Sequence, residues 1–169
     1  TDMSTRNASN EDDPVIESRD QLVAPMRNGA KPKADWRIGT EHEKLVYKRN
    51  DFHAPSYEEP GGIRDILMNL QDFGWKPVEE GGKIIAMSGD DGAVSLEPAG
   101  QLELSGAPLE NLHETCNETG RHLEQVKEIG ERCGVGFLGL GMWPDKTREE
   151  LPIMPKGRYE IMKRHMPRV

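Results

Sequence analysis

Only two cysteines, Cys116 and Cys133, occur among the 169 residues. That excludes a small secreted scaffold held by disulfides and suits a reducing compartment. Both fall on one expected helix, about 25 Å apart at 1.5 Å per residue. A disulfide needs Cα atoms within roughly 7 Å, so they cannot bond to each other. Aromatic side chains are scarce, and hydrophobic residues reach 34% against 31% charged. This is lean for a self-sufficient globule but not polar enough for disorder throughout. A piece that buries its remaining surface against another segment would have this composition. No apolar run approaches the roughly 20 residues of a membrane-spanning helix, and the first residues are acidic and polar rather than basic and then apolar. Positive charge is also short, with 22 basic side chains against 30 acidic ones and a net charge of −8. A surface of that sign repels nucleic acid and anionic membrane, so neither is expected as a partner. It still admits ATP, provided divalent cations bridge its carboxylates to the phosphates.

What is present reads as one unit behind a polar lead-in. Residues 1–14 have almost nothing to bury and are expected to be disordered, leaving 15–169 as the structured part. A short helix is expected from Ser18, with Leu22, Val23 and Met26 on one face and Gly29 as its stop. A charged strand is expected over 36–47. Pro60 is expected in the first turn of a helix on which Ile63, Ile66, Leu67 and Leu70 share a face, with Gly74 ending it. Short strands follow at 83–87, 93–97 and 101–105. A long helix over 108–133 carries a stripe of Leu109, Leu112, Cys116, Leu123, Val126 and Ile129. A strand over 135–142 and a helix over 157–165 complete an α+β chain whose neighbouring strands are antiparallel, because short turns join them.

The chemistry lies in carboxylates at even spacing. On a strand, Glu41 and Glu43 share a face with Arg37. Gln101 and Glu103 repeat the arrangement, with Leu102 and Leu104 on the opposite face and Glu97 just across the Pro98-Ala99-Gly100 turn. Like charges this close repel unless a cation lies between them, and hard oxygen donors suit Mg²⁺ or Mn²⁺ rather than zinc. The alternative is an ordinary solvated acidic face. Lys156, Arg158 and Tyr159 at a helix start could hold an anionic substrate, or could be a plain helix N-terminus. Other patterns fail on context. Gly134-Val-Gly136-Phe-Leu-Gly139 follows a helix and opens a strand, the reverse of a dinucleotide site, and Gly81-Gly82-Lys83 is followed by Ile84 where a phosphate loop needs Ser or Thr.

RIGTEHEKL, SLEPAGQLELSGAP, GVGFLGLG and MPKGRYEIMKRHMP, in that order from about Trp36, resemble the successive motifs of plant and proteobacterial glutamate–cysteine ligases. The resemblance implies a glutamine-synthetase-like fold with a curved antiparallel sheet forming a funnel, of which this chain would be an incomplete catalytic domain. It implies ATP-dependent joining of the L-glutamate γ-carboxylate to the amine of L-cysteine through a γ-glutamyl phosphate, the first step of glutathione synthesis. Carried over position by position, Glu41, Glu43, Glu97 and Glu103 would be catalytic and would bind Mg²⁺, or Mn²⁺, with the ATP phosphates. Gln101 and Lys156 would assist with the nucleotide, while Arg158 and Tyr159 would hold the amino-acid substrate. Expected partners are L-glutamate, L-cysteine, ATP, and either a segment following Val169 or a second copy of the chain. The expected location is the bacterial cytoplasm, and the isolated chain is expected to be inactive. Two other readings stand beside this one: a carboxylate–amine ligase of the same fold acting on a different amine, and a piece that only folds or binds with its complement. The chain departs from the family pattern at Ala99, where a glycine is usual, and at Met142-Trp143-Pro144-Asp145-Lys146-Thr147, where the family has an FQP-K-W segment. Plant relatives use a cysteine at the position of Cys116 in a regulatory disulfide.

Overall fold

A computed structural model describes residues 15–90 and 92–166; the expected lead-in over 1–14 lies outside the described residues. The elements in chain order are α1 (Arg19–Asn28), β1 (Glu41–Lys48), α2 (Ile63–Leu70), β2 (Lys76–Glu80), β3 (Lys83–Gly89), β4 (Gly92–Leu96), β5 (Leu102–Gly106), α3 (Leu112–Cys133), β6 (Val135–Leu138) and α4 (Gly157–His165). The strands form one sheet in the order β2-β3-β4-β5-β1-β6, and every pairing is antiparallel. This is the expected α+β class, with helices flanking an antiparallel sheet. No helix among the described residues is long and apolar enough to cross a membrane.

Strand β2 was not anticipated. Its sequence, Lys-Pro-Val-Glu-Glu, lacks an apolar alternation because it is a sheet edge, where Pro77 loses no ladder bond to a second neighbour. The signal that could have found it is Gly81-Gly82, both at positive φ, which join β2 to β3 in a two-residue hairpin. Elsewhere the boundaries shift. β1 begins at Glu41 rather than Trp36, and only Ile38 of the earlier stretch bridges, to Leu109. β6 is four residues long rather than eight. Pro60 precedes α2, which is capped by Gly62, so the proline belongs to the turn and not to the helix.

The core lies between one sheet face and helices α2 and α3. Ile63, Ile66, Leu67 and Leu70 on α2 are fully buried, as their spacing requires. They meet Met87, Val94 and Leu104, which are cross-strand neighbours, and the Leu96–Leu102 pair. On α3 the buried face is rotated from the expected stripe. Val126 and Ile129 are buried, but Leu112, Cys116 and Leu123 face outward, and Glu118 and His122 take the inner positions. Helix α1 forms as expected, with a Ser18–Gln21 capping box and Gly29 at its end, yet none of its residues is buried. Its apolar face has no cover among the described residues.

The β4–β5 turn keeps the geometry that a glycine would favour. Ala99 sits at φ 67° and ψ 16°, in the left-handed region, and the turn is closed by Glu97 N–H donating to Gln101 O at 2.8 Å. A left-handed non-glycine residue costs about 1–2 kcal/mol, while glycine adds roughly 0.5–1 kcal/mol of unfolded-state entropy. Ala99→Gly is therefore expected to stabilise the chain, by up to about 1.5 kcal/mol on these figures. A urea midpoint that rises at unchanged slope would show it, and a fall would mean that the turn relaxes.

Candidate functional site

The register of the sheet brings the acidic residues together. Glu43 on β1 lies directly opposite Glu103 on β5, which in turn lies opposite Ser95 on β4. One step along, Glu41 faces Ser105. These residues alternate with Leu102 and Leu104, so they share the sheet face that points away from the core. Gln101 Nε2 donates to Glu43 Oε2. Ser95 Oγ and Ser105 Oγ donate to the two oxygens of Glu103 at 3.3 and 2.8 Å. Two carboxylates directly opposite each other in an antiparallel pair repel, and the surrounding hydroxyls and amide offset part of that cost.

A buried cation supports the pair from behind. Lys44, next to Glu43 but on the core face, is 2% exposed. Its Nζ donates to His42 O at 2.7 Å and is hydrogen-bonded to His42 Nδ1 at 2.9 Å. Burial pulls its pKa down to about 8, against the fields of Glu103 and Glu43, which favour the charged form. Beside it on α3 is His122, also 2% exposed, with neither ring nitrogen hydrogen-bonded among the described residues. Burial, with Lys44 and His42 adding to it, pushes the His122 pKa down to about 3. One turn earlier, Glu118 Oε1 accepts the Ala107 N–H at 2.7 Å, and its carboxylate fits only because Gly106 has no side chain. Sequence reasoning missed this layer. The available signal was that Glu118 and His122 extend the Val126–Ile129 stripe at helical spacing.

The remaining expected residues form a second group at the β4–β5 turn. Arg158 NH2 donates to Glu97 Oε1 at 2.6 Å. Lys156 Nζ and Tyr159 OH both donate to the carbonyl of Leu96, at 2.6 and 2.7 Å, and both residues are buried. Burial raises the pKa of Glu97, Arg158 and Lys156 oppose the rise, and Glu103 adds to it. Burial likewise carries the Tyr159 phenol to about 12. The start of α4 is not an open anion site at its first residue, since Gly157 N–H donates to Glu80 Oε1 at 2.9 Å. Arg37 lies outside β1 and does not join the acidic face; it binds Ala34 O and Trp36 O and pairs with Glu110 at 3.3 Å.

The four glutamates thus do not converge as one ligand set. Glu43 and Glu103 are opposed, Glu41 stands one step away, and Glu97 is tied to Arg158. Among the described residues, no three acidic, histidine or cysteine side chains come together closely enough to hold a metal ion by themselves. An opposed pair of carboxylates does fit Mg²⁺, which commonly takes one or two carboxylates and completes its shell with water and phosphate oxygens.

Residues 37–169 match the profile of the glutamate–cysteine ligase family 2. The chain is 48% identical over 153 residues to glutamate–cysteine ligase A, chloroplastic, of Oryza sativa subsp. japonica and to the chloroplastic glutamate–cysteine ligase of Arabidopsis thaliana. It is 46% identical over 153 residues to that of Nicotiana tabacum. Each alignment covers 90% of this chain, and the chain spans about 30% of the length of these relatives. Their chloroplastic designation overturns the expectation of a bacterial cytoplasmic location. Few cysteines report a reducing environment, not which compartment supplies it.

Proposed function

The chain belongs to the glutamate–cysteine ligase family 2, and from that membership we propose that it supplies the nucleotide-facing acidic part of an ATP-dependent glutamate–cysteine ligase. In this reading its sheet is part of the funnel of a glutamine-synthetase-like fold. ATP phosphorylates the glutamate γ-carboxylate, and the cysteine amine then displaces phosphate to give γ-glutamylcysteine. The observation that carries the reading is the opposed Glu43–Glu103 pair, toward which Gln101, Ser95 and Ser105 all donate.

Glu43 and Glu103 would hold Mg²⁺ or Mn²⁺, with Glu41 adding negative potential beside them. When bound, the ion neutralises the triphosphate and orients it. The protein's own part is positioning. Gln101 orients the Glu43 carboxylate, and the two serine hydroxyls hold Glu103 in one rotamer. Arg158, partly exposed beside Glu97, offers a guanidinium to a substrate carboxylate, where its planar fork suits two-point recognition. Lys156 and Tyr159 hold the Leu96 carbonyl and thereby set the position of Glu97 and Arg158. Groups that complete glutamate and cysteine recognition would come from a further segment or a second copy, so the 169 residues alone bind Mg–ATP without turning it over. Calorimetric titration tests this. Saturable Mg–ATP binding that disappears with EDTA is expected, and no binding heat in either condition would sink the reading.

A further inference from the structure

Lys44 is the side chain that the interior has least reason to hold. It follows Glu43 on β1 and lies opposite Leu102 in the register, which puts it on the core face of the sheet, among the fully buried side chains. Its hydrogen-bond partners among the described residues both belong to His42: the carbonyl at 2.7 Å and the ring Nδ1 at 2.9 Å. Neither carries a formal negative charge. The acidic side chain that α3 turns inward, Glu118, is committed to the Ala107 N–H at 2.7 Å. The charges that favour the ammonium are those of Glu103 and Glu43, on the other face of the sheet. An ammonium buried without a contacting carboxylate is costly, and a methionine of similar length would fill the same space without that cost. Stability therefore does not explain a lysine here.

The bond to the His42 carbonyl fixes the ammonium beside the peptide that joins His42 to Glu43. One positive charge thus stands behind the strand at the level of the two opposed carboxylates in front of it. We infer that Lys44 makes the Glu43–Glu103 site select a divalent cation already carried by polyphosphate over the free cation, a role that rests on the Mg–ATP reading of that pair. Sign decides which form is favoured. A free dication brings two positive charges toward a fixed ammonium and is repelled. The same dication on a triphosphate arrives in a complex of net negative charge, which the ammonium attracts. Peptide and leucine lie between, so the field is screened less than it would be through water. At roughly 9 Å, with an effective dielectric between those of protein and water, repulsion of a dication is worth about tenfold in affinity. Lys44 touches neither ion nor phosphate; it is a positioning residue that acts through its charge.

Mn²⁺ alone, followed by electron paramagnetic resonance, and Mg–ATP, followed by calorimetry, are titrated into the unaltered chain and into Lys44→Met. That variant removes the charge, and it should melt no lower than the unaltered chain, because an apolar group of similar volume replaces a buried ion. Lys44→Gln supplies a second neutral side chain that still donates to the His42 carbonyl. In both variants free Mn²⁺ should bind about tenfold tighter, while Mg–ATP binds severalfold more weakly. A site merely distorted by lost packing would weaken both ligands together. A ratio of the two affinities that is unchanged, or that shifts toward Mg–ATP, would overturn the selecting role and leave the Mg–ATP reading standing. If the unaltered chain binds neither ligand, that reading falls and the role of Lys44 falls with it.

Discussion

Glu43→Gln is expected to weaken Mg–ATP binding at least tenfold while leaving the melting temperature unchanged or slightly higher. The two effects separate because the residue's charge and its hydrogen bond do different things. A glutamine in the same rotamer still accepts from Gln101 Nε2, so the local geometry survives. What disappears is one of two opposed carboxylates, whose repulsion costs up to about 1 kcal/mol in a directly facing pair. The change also removes half of the hard-oxygen pair that would hold the ion. Sites that bind cations keep such repulsion because the ligand relieves it. Glu103 is a less clean test, since it supplies the stronger of the two fields that keep buried Lys44 charged. Calorimetry and thermal melts on Glu43→Gln decide the matter. A marked drop in melting temperature with affinity retained would make the pair a structural feature.

Acidification from pH 6.5 to 4.5 should cost the fold about 2 kcal/mol through His122 alone, since the unfolded chain goes from half to full protonation over that interval and a whole proton is worth about 1.36 kcal/mol per pH unit. The folded-state value of about 3, set by burial and then by Lys44 and His42, lies far below the usual 6.5 of an unfolded histidine. Between those values the unfolded chain binds a proton that the folded chain does not. The stability present above pH 6.5 is therefore lost progressively as pH falls toward 3. His53 contributes with the opposite sign, because its hydrogen bond to Asp51 raises its pKa, so the comparison must be made between variants. His122→Leu should flatten the profile below pH 6.5 by the His122 share, and at pH 7.5 it should be no less stable, since it removes two buried ring nitrogens that have no partner among the described residues. Urea unfolding at several pH values measures this, and parallel profiles for the two proteins would refute it.

The acidic face was legible in the sequence because strand periodicity is rigid. Glu41 with Glu43, and Gln101 with Glu103, must share faces once their segments are extended, and leucines at the intervening β5 positions show which face is buried. Which glutamate opposes which was not legible, since it depends on a cross-strand register set by segments some sixty residues apart. The polar layer of Lys44, His122 and Glu118 was hidden for a related reason. Hydrophobic spacing locates the buried face of a helix only when buried residues are apolar, and α3 turns a histidine and a glutamate inward while leaving Leu112 and Leu123 outside.

By itself, the sequence determined what local chemistry can dictate: the α+β class, the helices that stop at Gly29 and Gly134, the turn at Pro98-Ala99-Gly100, and family membership through ordered motifs. Tertiary structure alone decided that Glu43 meets Glu103, that Glu97 is claimed by Arg158, and that Lys156 and Tyr159 both anchor the Leu96 carbonyl. The division follows from range. Periodicity, capping and turn conformation are settled within a few residues of chain, whereas a charge's partner is settled by whatever the fold brings within a few ångströms.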